Sequence, residues 1–390
     1  MMRRILTVFS KETIDNLRDR RTLLTALLLG PLLGPLLFVF IMQQMLSDAI
    51  SELEQPLQLP VVGAEYAPNL VQFLKQNHTK VIAPPEDPEA AVKNRKYAVV
   101  MVIPESYPEE FIAGEPATLQ LIFDASDREA DKDVDRARGL LEAYSKRISA
   151  LRLLARGVNP AVLQPVIVDR VDLSTPEARA VLVLGIVPYF IVLTVLMGGF
   201  YLAIDTTAGE RERGSLEPLL STAASRAELA IGKLAATMLF AVLSLAITLI
   251  SFVYGSSFIQ LEELGMRANL SASVMFPIFV VSLPFALLAS AMLSAVASFT
   301  KSFKEAQTWL SVIMIIPAIP AFITLLNPEK PELWMMVIPS YNISVLIIEF
   351  IKGETVTAAF MGTAMFANFI IGLALAWLAI RLYHREKVLG

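Results

Sequence analysis

The sequence contains no cysteine, only two histidines and few charged residues, and each shortage excludes a class of protein. Without cysteine there are no disulfides, iron–sulfur clusters, thiolate metal sites or cysteine nucleophiles. The two histidines, His78 and His384, are isolated in the sequence and support neither a metal site nor a proton relay. Charged residues make up 18% of the chain and the formal net charge is -4, which argues against a nucleic-acid-binding surface.

Apolar sequence is abundant instead, since 55% of the residues are hydrophobic and the mean hydropathy is +0.58. Six stretches without Asp, Glu, Lys or Arg each exceed the roughly 20 residues that cross a bilayer as a helix. They predict an α-helical polytopic membrane protein with spans at 22–47, 180–204, 234–258, 272–299, 306–327 and 356–380. Pro31 and Pro35 predict a bent first span whose freed carbonyls are satisfied by neighbouring helices.

A seventh apolar run, 333–348, is too short for a full crossing and contains Pro339 and Asn342. Residues 333–353 are therefore predicted to form re-entrant or external helices before the sixth span.

Basic residues are distributed unevenly among the segments that flank the spans. The segments 1–21, 205–233, 301–304 and 381–390 together hold 15 Lys and Arg residues, whereas the opposite short loops hold only Arg267, Lys330 and Lys352. Short loops rich in Lys and Arg stay in the cytoplasm. We therefore expect a multi-pass protein of the cell (inner or plasma) membrane with both termini cytoplasmic, including the tail 381–390.

The segment between the first two spans, 48–179, has the pattern of a soluble domain. Alternating or β-branched runs predict strands at 57–63, 97–103, 118–123 and 164–171. Ser126 and Glu129 form a capping-box pattern that opens a long helix ending near Gly157. The acidic residues of 124–135 alternate with basic residues at helical spacing, so they indicate a solvated helix face rather than a cation site. The expectation is an extracytoplasmic α/β domain.

The polar loop 205–233 joins the second and third spans and has the pattern of two helices separated by a tight break. Gly214 suits the left-handed position that ends a helix, and Ser215 can cap a short helix over 216–220. The leucines at 216, 219 and 220 share one face of that helix. Ser225 and Glu228 form a second capping box, which opens the helix of the third span. This arrangement suits the transfer of force from a soluble partner to membrane helices, although a simple capped connector has the same pattern.

The loop resembles the characteristic stretch of the ABC type 2 exporter permease family. The matching positions are Glu210, Arg211, Glu212, Gly214, Ser215, Leu216, Glu217, Leu219, Leu220, Ser225, Arg226, Glu228, Gly232 and Lys233. The segment 1–21 is similar to the family's amphipathic connecting helix, in which the matching residues are Lys11, Glu12, Arg18 and Asp19. The segment 338–354 is similar to the family's external helical hairpin. Ala223 is a departure, because many relatives have proline there. In the connecting helix, Ile5, Val8, Phe9, Thr13 and Leu17 are expected to face lipid while the charged residues face water.

The resemblance implies a permease subunit of an ATP-driven exporter, which is a transporter chain and not itself an enzyme. ATP and Mg²⁺ are then used by a separate ATPase subunit, present in two copies under a coupling helix at 216–220. A second permease copy completes the pathway, most simply as a homodimer surrounded by membrane lipid. The chain itself has no G-x-x-x-x-G-K-[ST] motif to hold ATP phosphates, so no bound cofactor is expected.

The large domain between the first two spans resembles the sodium-extrusion, NatB-like branch of the family and, more loosely, lipid exporters of the type V architecture. Sodium or another cation is therefore the expected cargo, with lipid or drug-like cargo as alternatives. Glu349, Asp205 and Asn342 are the candidate pathway residues. For Glu349 the alternative is an interfacial charge beside Lys352, and for Asp205 it is an ordinary helix-end residue.

A membrane receptor or sensor is the main alternative, since two spans that flank an external α/β domain are also the architecture of receptors. Against it, the tail 381–390 is too short for an output domain and four further spans would have no role. A secondary transporter is disfavoured because the spans show no convincing internal repeat.

Overall fold

The computed structural model describes residues 1–169, 171–259, 261–326 and 331–384. The chain divides into two compact units, one formed by Met1–Leu46 with Leu173–Gly390 and the other by Ser47–Asp172. The chain begins with α1 (Met2–Arg18), α2 (Arg20–Leu23), a π-helical segment (Leu24–Leu33) and α3 (Gly34–Glu54).

The unit Ser47–Asp172 is built on a four-stranded sheet with helices between the strands. Its elements are β1 (Leu57–Val62), α4 (Pro68–Gln76), β2 (Thr79–Ile82), α5 (Pro88–Lys93), β3 (Val99–Val102), α6 (Tyr107–Ala113), β4 (Gln120–Phe123) and α7 (Arg128–Ala155). The strand order is β2-β1-β3-β4, with β1 parallel to β2 and β3 and with β4 antiparallel to β3. Short 3-10 helices lie at Ala64–Tyr66 and Pro160–Leu163.

Strands β1, β3 and β4 lie inside segments where the sequence predicts strands, but two expectations differ. The prediction of a strand at 164–171 is wrong for its described residues, which form no strand and leave Val166, Ile167 and Val168 at least 75% exposed. A strand needs a hydrogen-bonding partner, which β-propensity alone does not supply. Conversely, β2 was missed, and its four residues are held as a strand by pairing with β1.

The remaining elements belong to the other unit. They are α8 (Pro176–Leu184), α9 (Val187–Ile204), a second π-helical segment (Asp205–Gly209), α10 (Glu210–Glu212), α11 (Leu216–Leu220), α12 (Arg226–Ser256), α13 (Ala272–Phe299), α14 (Phe303–Ile313), α15 (Ile315–Leu326), α16 (Tyr341–Lys352) and α17 (Ala358–His384). Further 3-10 helices lie at Leu261–Leu264 and Leu333–Val337.

Within the described residues, six helical stretches are long and apolar enough to cross a bilayer, as the sequence predicts. They are Ala26–Asp48, Val187–Glu212, Arg226–Ser256, Ala272–Phe299, Phe303–Leu326 and Ala358–Tyr383. The fifth is broken at Met314 into α14 and α15, because Pro317 has no N–H to donate to the carbonyl four residues earlier. The run that begins at Leu333 contains only a 3-10 turn and the 12-residue α16, so it holds no helix long enough to span.

Helix α9 lies at the centre of this unit, with most of its residues buried against α12 and α13. It approaches α12 closely because glycines stand at the contact. A Cβ at Gly198 would lie 2.4 Å from Ser244 Oγ, and one at Gly199 would lie 3.0 Å from Thr237 Cγ2. Small residues allow apolar helices to pack backbone to backbone where no hydrophobic effect drives their association.

The first span is π-helical around Pro31, and α12 satisfies the carbonyls that the two prolines free, as the sequence predicts. In a π-helix, Pro31 would have donated to the carbonyl of Ala26, which instead accepts from Ser244 Oγ at 2.5 Å. In the α-helix that follows, Pro35 would have donated to the carbonyl of Pro31, which accepts from Thr248 Oγ1 at 3.2 Å. Two hydroxyls one turn apart on α12 therefore stabilise the first span at its two prolines.

Candidate functional site

Helix α1 packs against the start of α12, and the glycine of the family motif makes the close approach possible. A Cβ added at Gly232 would lie 2.7 Å from Val8 Cβ and 3.1 Å from the carbonyl oxygen of Ile5. The buried residues of α1 are Val8, Glu12 and Asn16, which lie one turn apart along a single stripe.

The expectation that the charges of α1 face water is therefore wrong for Glu12, and the expectation that Val8 faces lipid is wrong as well. Both side chains are buried within the protein, Glu12 at 3% exposure and Val8 at 8%. Composition did not reveal this, because the stripe that contacts α12 is a mixture of apolar and polar residues. Leu17, by contrast, is 42% exposed, so it is free to contact lipid.

Four charged residues from three segments meet beside this contact, and we call Lys11, Glu12, Glu210 and Lys233 the charge cluster. The Lys233 ammonium lies 3.0 Å from Glu12 Oε1 and 2.7 Å from Glu210 Oε2. Lys11 Nζ lies 3.1 Å from Glu12 Oε1 and 3.5 Å from Glu210 Oε1. Glu12, Glu210 and Lys233 are each at most 6% exposed, whereas the side chain of Lys11 is 47% exposed.

The cluster is balanced, with two cations and two anions, which is the condition under which buried charges are tolerated. Partial burial lowers the pKa of the Lys11 ammonium, but the carboxylates of Glu12 and Glu210 together outweigh this and the pKa lies above its ordinary value. Lys11 therefore remains protonated at neutral pH.

Each residue of α10 contacts a different part of the molecule. Glu210 reaches the charge cluster, and the guanidinium of Arg211 donates to the carbonyls of Ser298, at 3.2 Å, and Thr300 at the end of α13. Glu212 Oε2 accepts from the backbone N–H of Phe303, the first residue of α14, at 2.6 Å. A cation at a helix C-terminus and an anion at a helix N-terminus are both electrostatically favoured.

The π-helical segment Asp205–Gly209 immediately precedes α10. A π-helix carries more residues per turn than an α-helix, so it changes the direction in which the following side chains point. Here it ends directly before Glu210, whose side chain is turned inward to Lys233.

The break after α10 has the geometry that the sequence predicts. Gly214 has φ of 69°, a left-handed conformation that glycine adopts without strain. Ser215 donates through its backbone N–H to the Glu210 carbonyl at 3.0 Å, and its hydroxyl contacts the same oxygen at 3.2 Å. Leu216 is buried against Ala230 of α12 and Tyr383 of α17, so the first turn of α11 is attached to two membrane helices.

The start of α12 is fixed by the predicted capping box. Ser225 Oγ accepts from the backbone N–H of Glu228 at 3.2 Å, and Glu228 Oε2 accepts from the N–H of Ser225 at 2.8 Å. Glu228 also pairs with Arg4 of α1 at 3.7 Å, a second ionic contact between these helices. Arg226, in the first turn of α12, is half-buried.

The other residues of the predicted coupling and connecting sets lie apart from the charge cluster. Arg18 and Asp19 are exposed at the C-terminal end of α1, and Leu219 is half-buried on α11. The side chains of Glu217 and Leu220 lie outside the described residues.

The three candidate pathway residues do not form one site. Asp205 pairs with Arg213 at 2.8 Å, and this hydrogen bond raises the pKa of the arginine. Glu349 pairs with Lys352 at 2.8 Å. This pair is what the alternative interpretation, an interfacial charge beside Lys352, predicts. Asn342 is fully buried on α16, two turns from Glu349.

Asn342 belongs to a buried amide pair that connects α16 to α17. Its Nδ2 donates to the carbonyl of Met336 at 2.9 Å, and its Oδ1 accepts from Nδ2 of Asn368 at 3.2 Å. The remaining amide oxygen, Oδ1 of Asn368, has no hydrogen-bond partner among the described residues.

Sequence reasoning missed Asn368, Asn16 and Tyr383. Tyr383 is 4% exposed, and its hydroxyl contacts the carbonyl of Thr206 in the π-helical segment at 3.4 Å. A polar residue within an otherwise apolar helix was the available signal for Asn368. Tyr383 gave no signal, because a tyrosine near the end of a span is normally an interfacial anchor. Among the described residues, no group of three or more His, Cys, Asp or Glu side chains is placed to hold a metal ion.

Comparison with known proteins agrees with the motif and the architecture. The sequence profile of the family described as "ABC-2 family transporter protein" matches residues 20–381. The chain is also 26% identical over 362 residues to the "ABC transporter permease protein NatB" of Bacillus subtilis (strain 168), covering 92% of each chain. With a match over nearly its whole length and six helices capable of spanning a membrane, the chain belongs to the ABC-2 family of transporters, as a multi-pass permease component.

Proposed function

We propose that this permease couples ATP hydrolysis by a separate subunit to the outward movement of a substrate. Two copies of the ATPase bind beneath α11, one under each of two copies of this chain. In this arrangement both termini and α1 are cytoplasmic, the domain 48–179 is extracytoplasmic, and 333–353 re-enters the membrane from outside. The uneven distribution of Lys and Arg supports this orientation.

The observation that carries the proposal is the set of contacts made by α10. Its three consecutive side chains are held by the charge cluster, by the end of α13 and by the start of α14. A displacement of α11 passes through a single tight turn at Gly214 into α10. Because α10 is bonded to several helices, such a displacement moves those helices together rather than bending one of them.

The second route of force passes through Leu216. Its side chain is buried against Ala230 near the start of α12 and Tyr383 near the end of α17. Closely packed side chains transmit displacement because protein interiors are as dense as organic crystals. We infer that α11 acts on the second, third and sixth spans at once.

Helix α1 serves in this proposal as a brace on the cytoplasmic surface. It is attached to α12 through Gly232, through the Arg4–Glu228 pair and through the charge cluster. A partner that binds near α1 and α11 therefore acts on α12 through two separate sets of contacts.

For the cargo we propose sodium or another cation, on the basis of the resemblance to the sodium-extrusion branch. Lipid and drug-like molecules are the alternatives, and Glu349, Asp205 and Asn342 stay candidates for contact with the cargo.

The test is to co-purify the chain with its ATPase, reconstitute the complex in vesicles, and measure ATP hydrolysis and transport in parallel. Sodium, lithium, potassium and lipid are titrated separately, and the cargo is the class that both stimulates ATPase activity and is transported. In Arg211→Met we expect ATP hydrolysis to continue while transport falls at least tenfold, because the contact from α10 to α13 is lost. Charge reversal at Glu217 or Arg226 is expected to have the same uncoupling effect.

The matched control is Lys301→Met, which removes an exposed cation from the turn between α13 and α14 without touching the Arg211 contacts. It should transport like the parent protein. Equal transport by the Arg211 variant and the parent would contradict the coupling route. If no ATPase co-purifies, the receptor interpretation gains support instead.

A further inference from the structure

The unit Ser47–Asp172 contains a cavity of about 740 Å³ at the end of the sheet where β1 and β3 begin. Its wall is formed by residues 55–58 at the start of β1, by residues 95–98 before β3 and by residues at the start of α7. This volume is in the range of small-molecule sites and far exceeds that of a single ordered water.

The charge of the cavity wall is predominantly positive. Among the side chains that the structure describes, four basic and two acidic ones line it, namely Arg95, Lys96, Lys132, Arg136, Asp127 and Asp133. This is a local excess of positive charge in a chain whose formal net charge is -4. A concave surface with charges of one sign concentrates ligands of the opposite sign.

Two of the ion pairs within this wall are long. Arg95 Nε lies 3.7 Å from Asp127 Oδ2, and Arg136 lies 3.9 Å from Asp133 Oδ1. Charge-assisted hydrogen bonds are typically about 2.7–2.9 Å, so the Arg95 guanidinium can turn to a ligand at small cost. Arg136 is also oriented by donating to the carbonyl of Gln55 at 3.0 Å, which holds it at the cavity.

Arg95 carries the most informative feature, because its backbone is left-handed with φ of 54°. It follows Asn94, the C-cap of α5, and its N–H donates to the carbonyl of Val92 at 2.9 Å. Glycine is the usual residue at this position and asparagine the next, since most other residues are strained there. An arginine at a position that favours glycine indicates a role for its side chain, and that side chain lines the cavity.

We propose that this cavity binds a phosphate ester, with Arg95 and Arg136 contacting the phosphate and Lys96 and Lys132 supplying further positive charge. Guanidinium groups match the oxygens of phosphate in a bidentate manner, and the cavity is larger than bare phosphate requires. Tyr97, whose ring lies 5.6 Å from the Lys96 ammonium, offers a surface for the remainder of the ester. The site does not depend on ATP coupling, so failure of the proposed transport mechanism leaves it unaffected.

The test is isothermal titration calorimetry on the full chain in maltoside micelles, at constant ionic strength. The probes are glycerol 3-phosphate and dihexanoyl phosphatidylglycerol below its micelle concentration, with acetate as the simple-anion reference. We expect saturable binding of at least one phosphate probe and none of acetate. If only glycerol 3-phosphate binds, the natural ligand is a soluble phosphate ester. If the lipid binds more tightly than glycerol 3-phosphate, the ligand is a lipid headgroup.

The decisive variant is Arg95→Gly, because glycine relieves the backbone strain while removing the guanidinium. We expect its thermal unfolding midpoint to equal or exceed that of the parent, and its affinity for the phosphate probe to fall at least tenfold. Lys132→Gln should also weaken binding, and Lys146→Gln, on the exposed surface of the same helix beyond the cavity, should not. Equal affinity of Arg95→Gly and the parent, or no saturable binding of either probe, would overturn the proposal.

Discussion

Removal of the buried ammonium at Lys233 should strongly destabilise the protein, whereas removal of the neighbouring ammonium at Lys11 should not. Both cations contact the same two carboxylates, Glu12 and Glu210, at 2.7–3.5 Å. They differ in exposure, since the side chain of Lys233 is 3% exposed and that of Lys11 is 47% exposed. The comparison therefore isolates the effect of burial.

The expected loss of stability in each variant follows from electrostatics. At an effective dielectric constant of about 20, unit charges about 3 Å apart attract by roughly 5 kcal/mol, and desolvation of the ions offsets several kcal/mol. In Lys233→Met two buried carboxylates keep only the outer cation, and breaking such a buried pair costs about 3–5 kcal/mol. In Lys11→Met the lost contacts are partly hydrated, and exposed pairs contribute about 0.2–1 kcal/mol.

The assay is reversible unfolding of each variant in mixed micelles with increasing dodecyl sulfate, followed by far-ultraviolet circular dichroism. The double variant Glu12→Gln/Lys233→Met should lose less stability than the sum of the two single variants, because one uncompensated carboxylate is removed. The reasoning is refuted if Lys233→Met costs less than about 1 kcal/mol, or if Lys11→Met costs as much as Lys233→Met.

Three further predictions concern other contacts. Gly232→Ala places a Cβ 2.7 Å from that of Val8. It should therefore lower the free energy of unfolding by about 1–3 kcal/mol and increase proteolysis of the N-terminal helix. An unchanged rate of proteolysis would contradict this packing. Asn368→Leu removes a buried amide whose partner oxygen, Asn342 Oδ1, already accepts the backbone N–H of Ile343. Chemical denaturation should therefore show a change of less than about 1 kcal/mol in the free energy of unfolding. A larger loss would show that the amide is needed. Hydrogen bonds from Ser126 hold the pKa of Asp124 below its ordinary value. These bonds therefore contribute fully to stability at pH above the ordinary pKa, and the contribution is lost as pH falls through the lowered pKa. Carboxyl NMR titration of Ser126→Ala should show a higher pKa for Asp124, and no shift would refute the assignment.

Much of the fold is predictable because its causes are local in sequence. A helix that crosses a bilayer must satisfy its own backbone and present about 20 apolar residues, so uncharged runs indicate the spans directly. The same holds for turns and caps: Gly214 and the Ser225–Glu228 capping box act over three or four residues. The break in the fifth span also has a local cause, Pro317, although an unbroken span was predicted there.

The strand predictions show the limit of this reasoning. A strand depends on a partner that the local sequence does not specify, so β2 was missed and a strand at 164–171 was wrongly expected. The candidate pathway residues show the same limit. Asp205 pairs with Arg213, a partner that the sequence pattern did not indicate, whereas the pair of Glu349 with Lys352 agrees with the alternative interpretation of that residue.

The sequence by itself determined the family, the six apolar helices and the motif loop, because composition, run length and short-range spacing specify them. Only the tertiary structure decided which charges are buried and what they bind. Glu12 and Lys233 are 221 residues apart in the chain, and their ion pair exists because Gly232 lets α1 approach α12. The physical reason is that burial and pairing of a charge depend on the neighbours that packing brings together, and a local pattern does not contain them.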